Sequence, residues 1–181
     1  MRFPLPFVPT TTYKGGNGFG GDRSKVRAGL KHAANDLAAK AGTPVLAMAS
    51  GKVIVGSKPF FRGTNALAIQ HPDFIARYCE IAPRAEVKAD DDVVEGQVIA
   101  YVGDQPGQDM LHIEFFSGAE TGELSNGTPP YYRRADVFDG VKYLDDTRGT
   151  ATHWADWKTG YRYSVDANGR KFVQRMDLRD I

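Results

Sequence analysis

Cysteine is almost absent: one thiol, Cys79, in 181 residues excludes an intramolecular disulfide framework and fits a reducing compartment. Long apolar runs are missing as well. No stretch approaches the roughly eighteen consecutive apolar residues of a membrane span, so none is expected. Met1-Arg2-Phe3-Pro4-Leu5-Pro6-Phe7 lacks the apolar core of a signal peptide. Excess charge is lacking too. A net charge of +1 exerts no strong pull on nucleic acid or acidic lipid, and neither is expected as a partner. Two apparent motifs are incomplete. Gly15-Gly16-Asn17-Gly18-Phe19-Gly20-Gly21 has no preceding strand and no Gly-Lys-Ser/Thr ending, which argues against a phosphate loop. Lys88-Ala89-Asp90-Asp91-Asp92-Val93-Val94-Glu95-Gly96 lacks the alternating acids and distal glutamate of a calcium loop and reads as a solvated turn.

What is present suffices for one domain with a sizeable core, and 41% of the residues are hydrophobic, an ordinary globular share. Residues 1–22 read as an irregular lead-in rich in Pro, Thr and Gly. From residue 45 to 116 the chain alternates short strands and turns. The candidate strands are Val45–Met48, Lys52–Val55, Ala66–Gln70, Phe74–Ile81, Gln97–Val102 and Leu111–Phe116, punctuated by Gly51, Gly56, Gly63 and Gly103. Lys25 to Lys40 is alanine-rich and would be helical by propensity alone. Tyr161 to Val173 reads as a hairpin around Asn168-Gly169. There is no internal repeat and no low-complexity tract.

The chemistry concentrates on His32, Asp36 and His112. A spacing of four puts His32 and Asp36 on one face of the backbone, helical or extended. In Met110-Leu111-His112-Ile113-Glu114-Phe115, alternation puts His112 and Glu114 on one face and Leu111, Ile113 and Phe115 on the other. Two imidazoles and a carboxylate with an open position recur as the ligand set of catalytic zinc.

The surrounding text follows a known order. His32-Ala33-Ala34-Asn35-Asp36-Leu37 is followed by Gly42-Thr43-Pro44-Val45-Leu46-Ala47 and Ser50-Gly51-Lys52-Val53. Then come Ala68-Ile69-Gln70-His71-Pro72, Arg77-Tyr78-Cys79-Glu80-Ile81 and Val94-Glu95-Gly96-Gln97-Val98-Ile99-Ala100-Tyr101-Val102-Gly103. This series resembles the lysostaphin/LytM-type zinc endopeptidases, which cleave peptide crosslinks of bacterial cell walls, over roughly residues 19 to 117. The resemblance implies a mainly β fold: an antiparallel β-sheet of the LytM/lysostaphin-like (duplicated hybrid motif) kind, with a C-terminal extension. The chain is expected to divide into a peptidase domain over 1–149, the irregular lead-in included, and an extension over 150–181 packed on it, although residues 151–181 match no familiar pattern. The resemblance makes the ligand pair part of an extended segment rather than a helix. It also implies one Zn2+ held by His32, Asp36 and His112, and peptidoglycan peptide as substrate.

Two departures bear on mechanism. The family usually reads Tyr-x-His-Leu where this chain has Tyr78-Cys79-Glu80-Ile81, and His-x-His where it has Met110-Leu111-His112. The ligands therefore carry over, while the places of two non-ligand catalytic histidines hold Glu80 and Met110. This wording resembles a subgroup found in phage and secretion-effector settings. Glu80 is expected on the strand face of Tyr78 and, as a carboxylate beside activated water, is the candidate general base; a solvated or structural glutamate is the alternative. Met110 cannot donate to an oxyanion, and Arg27, Tyr78 and His71 are the candidate substitutes. His71 also reads as a plain turn histidine. Glu114 is expected to orient a ligand imidazole. Cys79 reads as a small strand residue rather than a nucleophile, and His153, Trp154 and Trp157 as a docking tail rather than a stacking surface.

Three functions are therefore weighed: a zinc peptidoglycan endopeptidase, a zinc-retaining but impaired module that binds wall peptide or a protein partner, and a toxin delivered between bacteria with a cognate inhibitor or immunity protein. Without a signal peptide, such a protein is made in the cytoplasm and reaches the cell wall or periplasm by lysis, by dedicated secretion or within a larger particle.

Overall fold

The computed structural model describes residues 1–150 and, beyond them, the backbone of three strands. The strands are β1 (Asn35–Ala38), β2 (Pro44–Leu46), β3 (Gly51–Pro59), β4 (Asn65–Gln70), β5 (Ile75–Ile81), β6 (Asp92–Val93), β7 (Val98–Tyr101), β8 (Met110–Phe116) and β9 (Val137–Phe138). A short helix, α1 (Val141–Thr147), and strands β10 (His153–Asp156), β11 (Tyr161–Val165) and β12 (Lys171–Arg175) complete the order. The fold is mainly antiparallel β, as the sequence implies. One sheet runs β1-β8-β5-β4-β3-β6 with β9 added on β8, a second pairs β2 with β7, and a third runs β10-β11-β12. The pairing of β11 with β12 accords with the expected hairpin, whose Asn168-Gly169 turn lies outside the described residues. So do the side chains of His153, Trp154 and Trp157.

Period-two alternation makes the large sheet two-sided. Leu37, Leu67, Ile69, Ala76, Tyr78, Leu111, Ile113 and Phe115 lie buried in one cluster that also takes Val45, Ile99 and Ala100 from the β2–β7 pair and Leu144 from α1. Tyr143 of α1 stacks on Phe74 at 4.7 Å, and Gly140 before the helix lies flat on Phe115, where an added Cβ would sit 2.0 Å from the ring. The helix and β9 escape a strand-based reading because they are short and packed by distant aromatics.

One sequence reading, the extended ligand segment, is borne out, and another needs refinement. Lys25 to Lys40 contains no helix: it forms turns and then β1, because Asp36 and Leu37 pair with His112 and Leu111 of β8 and burial of Leu37 outweighs propensity. The lead-in has no strand, yet Phe3 and Leu5 are fully buried, with Met48 O accepting from Arg2 N at 2.7 Å and Pro4 O from Leu46 N at 2.9 Å. Burying two such side chains stabilises the fold by about 3–6 kcal/mol.

Thr150 belongs with this body, since its Oγ1 accepts from Phe3 N at 2.8 Å and its carbonyl from Arg2 Nη2 at 3.2 Å. Truncation after Thr150 is therefore expected to leave metal binding intact, all three candidate ligands lying before it. Zinc titration of the truncated protein checks this; a folded product that cannot take the ion would show that the last segment builds the site.

Candidate metal centre and cleft

Strand β8 is the axis of the site. His112 lies between Asp36 of β1 and Cys79 of β5 in register, so these three and Glu114 share the face opposite the core. His32 precedes β1 and is fixed by the glycine-rich segment: its N–H donates to Gly21 O and its carbonyl accepts from Gly20 N, both at 2.8 Å. The backbone approach is close. A Cβ at Gly21 would fall 2.7 Å from Gly16 O, and one at Gly18 would fall 2.9 Å from Lys14 Cα. The glycines thus cradle an imidazole rather than a phosphate.

The three candidate ligand atoms converge. His112 Nδ1 lies 2.9 Å from Asp36 Oδ1, His32 Nε2 lies 3.2 Å from the same oxygen, and the two nitrogens are 3.3 Å apart. A tetrahedral zinc with bonds of ~2.0–2.1 Å separates its ligands by about 3.3 Å, so the triangle fits. The remaining ring nitrogens decide which lone pairs face inward. His32 Nδ1 donates to Gly18 O at 3.0 Å, and His112 Nε2 donates to Glu114 Oε1 at 3.2 Å. In the neutral rings both inward nitrogens are then acceptors beside a carboxylate, a set that a cation satisfies in place of a proton. Among the described residues the same residues stand out as a metal-capable group.

A charged layer supports the triangle. Glu114 is fully buried and also accepts from Arg133 Nε at 2.7 Å and from Arg77 Nη1 at 3.3 Å. Burial alone would raise its pKa, but the His112 hydrogen bond and the two guanidinium charges hold it down at about 2. Burial also works against an ionised Asp36, and hydrogen bonds from His112 and His32 overcome this and keep it well below the carboxylate range. Its outer oxygen takes Arg23 Nη2 at 3.3 Å. Cys79, His112 and Glu114 form a second close group. Glu114 is already held by two arginines, and burial raises the Cys79 thiol far above its ordinary value, so this group is a packed layer and the thiol is inert.

The metal-free pH behaviour follows from His112. Burial disfavours its charged form, but Asp36 and Glu114 raise its pKa to about 9. A raised pKa means stability that is fully present below the ordinary histidine range and lost as pH rises through about 9. An incoming cation must displace that proton. Below pH 9, apparent zinc affinity of the metal-free protein is therefore expected to fall by about tenfold per pH unit, one proton leaving per ion bound. Titrations at several pH values check this; equal affinity at pH 7 and 9 would contradict it.

A cleft of about 810 Å³ opens over the triangle, lined among others by Arg27, Lys31, Phe60, Glu80, Met110 and Tyr132. Glu80 reaches it for a reason the sequence does not disclose. Asn65 pairs with Ile81 and Ala66 with Cys79, so Glu80 has no partner on β4; it is a bulge residue with φ +61°. The bulge breaks alternation. Tyr78 points into the core while Glu80 lines the cleft, so the expectation that they share a face is corrected. Burial is what raises the Glu80 pKa, against the opposing pull of His112 and Gln105.

Of the candidate donors, only Arg27 lines the cleft, its guanidinium 3.8 Å over the Tyr132 ring. His71 and Tyr78 belong to the core: His71 Nδ1 donates to Ser50 O at 3.2 Å, and the Tyr78 hydroxyl accepts from Met48 N at 2.9 Å and donates to His71 Nε2 at 3.0 Å. Arg23, Arg77, Gln105 and Arg133 were not legible as site residues, because no local spacing links them to the ligands. The acidic turn is as read: Asp91 Oδ2 accepts from Lys88 N at 2.9 Å and Asp92 pairs with Lys52 at 2.9 Å.

An antiparallel sheet presenting two imidazoles and a carboxylate at the floor of a cleft has the architecture of LytM/lysostaphin-like peptidases. Residues 30–124 match the model of peptidase family M23, and the chain belongs to that family. Its structure is similar to that of lysostaphin, the antimicrobial peptidase from Staphylococcus simulans, with a TM-score of 0.61 and 21% identity over 93% of this chain and 65% of that one. The chain thus spans less than two thirds of lysostaphin's length, and at this identity the likeness concerns the fold. It is also similar to LytU (TM-score 0.56, 25% identity, 74% of this chain and 85% of that one). A third likeness is to the catalytic domain, in a mutant form, of EnpA, a prophage-encoded M23 protein from Enterococcus faecalis (TM-score 0.50, 27% identity, 67% and 88%). No curated protein matches the chain.

Proposed function

We propose that the protein is a zinc-dependent endopeptidase that hydrolyses peptide crosslinks of bacterial peptidoglycan. The observation that carries this reading is the triangle of His32 Nε2, His112 Nδ1 and Asp36 Oδ1, with edges of 2.9 to 3.3 Å, under an open cleft in an M23 chain. Zinc bound there supplies Lewis acidity, bringing the pKa of water to about 7 and polarising a carbonyl.

The chain's own residues do the rest. His32, His112 and Asp36 hold the ion, and Glu114, Gly18 O and Arg23 fix the orientation of those three. Glu80 takes a proton from water as its oxygen adds to the peptide carbonyl carbon. The same proton passes to the departing amine nitrogen as the C–N bond breaks, leaving a carboxylic acid and an amine, which at neutral pH exchange a proton to become carboxylate and ammonium. A carboxyl whose pKa is raised by burial suits both halves of that transfer. Of the donors expected from the sequence, Arg27 is the one that lines the cleft and is assigned the role of the histidine that Met110 replaces. Delivery to the wall by secretion or lysis, as an antibacterial effector with an immunity partner or as a phage lytic factor, is part of the same proposal.

Digestion of purified peptidoglycan with mass analysis of the fragments, with and without chelator, tests the reading. Chelator-sensitive release of crosslink fragments is expected. A zinc-loaded protein that releases none, across several crosslink chemistries, favours the second reading: a module that retains zinc and binds wall peptide or a protein partner. Met110, which lines the cleft and cannot donate a hydrogen bond, is the observation behind that alternative.

A further inference from the structure

Glu80 is held at both ends by the loop between β7 and β8. Gly103 N donates to the Glu80 carbonyl at 2.8 Å, and Gln105 Nε2 donates to Glu80 Oε2 at 2.5 Å. Gly103 can approach this closely only without a side chain, since a Cβ there would lie 2.9 Å from Ile81 O and 3.0 Å from Glu80 O. The amide orientation of Gln105 is defined, because the same nitrogen donates to Gln108 O at 3.1 Å and a carbonyl oxygen at that place would face two acceptors. Gln105 is itself pinned: it is 7% exposed, and its N–H donates to Asp109 Oδ1 at 3.2 Å. Asp109 Oδ2 in turn accepts from Ala41 N at 3.1 Å, beside β1, and Pro106 O accepts from Arg62 Nη1 at 3.0 Å. The loop is therefore tied down on both sides of Gln105. One Glu80 oxygen is committed to Gln105, while Oε1 takes no hydrogen bond from the described residues and is left for the cleft.

We propose that Gln105 is the positioning residue that makes Glu80 a single-oxygen base, by fixing Oε2 and turning Oε1 to the cleft. This rests on the endopeptidase reading. An amide suits this role, since it orients a carboxylate by donating to it and has no titratable proton with which to compete. Glu80 needs such a clamp because its backbone is a left-handed bulge, where the strand does not fix the direction of the side chain. A neutral histidine at this place, the family's usual residue, has a single acceptor nitrogen and could not both accept from Gln105 and act as base, so the clamp and the glutamate form one functional unit.

The test is a double-substitution cycle on the zinc-loaded full chain, using a purified crosslinked wall fragment as substrate. Gln105→Met keeps volume and removes the donor. It is expected to lower kcat by about tenfold or more with KM and zinc content changed less than about twofold. In the Glu80→Gln background the same substitution is expected to change kcat by less than about twofold, because the base it serves is already gone. Equal losses in both backgrounds, or a loss that tracks zinc content or melting temperature, overturns the proposal. A second measurement needs no turnover: in the nitrogen–proton spectrum, the Gln105 side-chain amide proton bonded to Glu80 should lie downfield and move upfield on Glu80→Leu. An unmoved resonance overturns the clamp. A resonance that moves in a protein that cleaves nothing supports the clamp and counts against the endopeptidase reading instead.

Discussion

Glu80→Gln is expected to reduce turnover of peptidoglycan crosslinks by about 100-fold or more while leaving zinc binding intact. The substitution nearly preserves volume, and the new amide oxygen can still accept from Gln105, so the loop over the site has no reason to move. Glu80 makes no hydrogen bond to His32, Asp36 or His112 among the described contacts, which is why metal content should hold. What is lost is proton acceptance: an amide takes no proton from water at neutral pH, and none is then available for the leaving amine. Glu80→His is the informative companion. The position has φ +61°, and histidine is among the side chains that tolerate left-handed backbone better than most. The ring would restore the family's usual residue, and partial activity is expected. Steady-state kinetics on a crosslinked fragment, with zinc measured in the same samples, decides the matter. Turnover equal in wild type and Glu80→Gln would remove Glu80 from the chemistry altogether.

The ligand face of β8 was readable because it obeys simple alternation: Met110, His112 and Glu114 share the cleft face, and Leu111, Ile113 and Phe115 are buried on the other. The extended ligand segment was readable only through the resemblance, since alanine content from Lys25 to Lys40 favours a helix and the winning force is pairing with β8. Glu80 marks the limit of alternation. A rule of period two places it beside Tyr78, and a single bulge residue turns it to the opposite side. Arg77 and Arg133 lie 37 and 19 residues from the Glu114 they neutralise. No local pattern marks such partners; only the sheet order and the returning chain after β8 bring them together. Gln105 sits in a loop of polar residues and glycine, where nothing in composition separates a clamp from a solvated turn. The buried Phe3 and Leu5 show the same limit, because a segment without strand or helix periodicity can still fill the core.

His112→Ala is expected to abolish stoichiometric zinc retention and, with it, any hydrolysis. The substitution removes one of three candidate protein ligands and leaves Asp36 Oδ1 and His32 Nε2, 3.2 Å apart, as a two-point site. It also strips Glu114 of one partner while Arg77 and Arg133 remain, so the buried charge stays compensated and the fold should survive. Glu114→Gln asks a different question at the same ring. The imidazole stays, but the carboxylate that fixes its tautomer becomes an amide, and two half-buried guanidinium groups lose their counter-charge. A loss of zinc affinity of about 10–100-fold is expected from the weakened orientation of His112. A stability cost is expected as well, smaller than the ~3–5 kcal/mol of a fully buried pair because both guanidinium groups keep partial contact with solvent. Competition against a chelator of known affinity, alongside thermal unfolding of the metal-free proteins, separates the two effects. His112→Ala should lose the metal outright, with a stability cost at neutral pH from the lost Asp36 and Glu114 partners of the ring, and Glu114→Gln should weaken metal binding without abolishing it. The opposite order would mean that the buried network, and not the three-atom triangle, holds the ion.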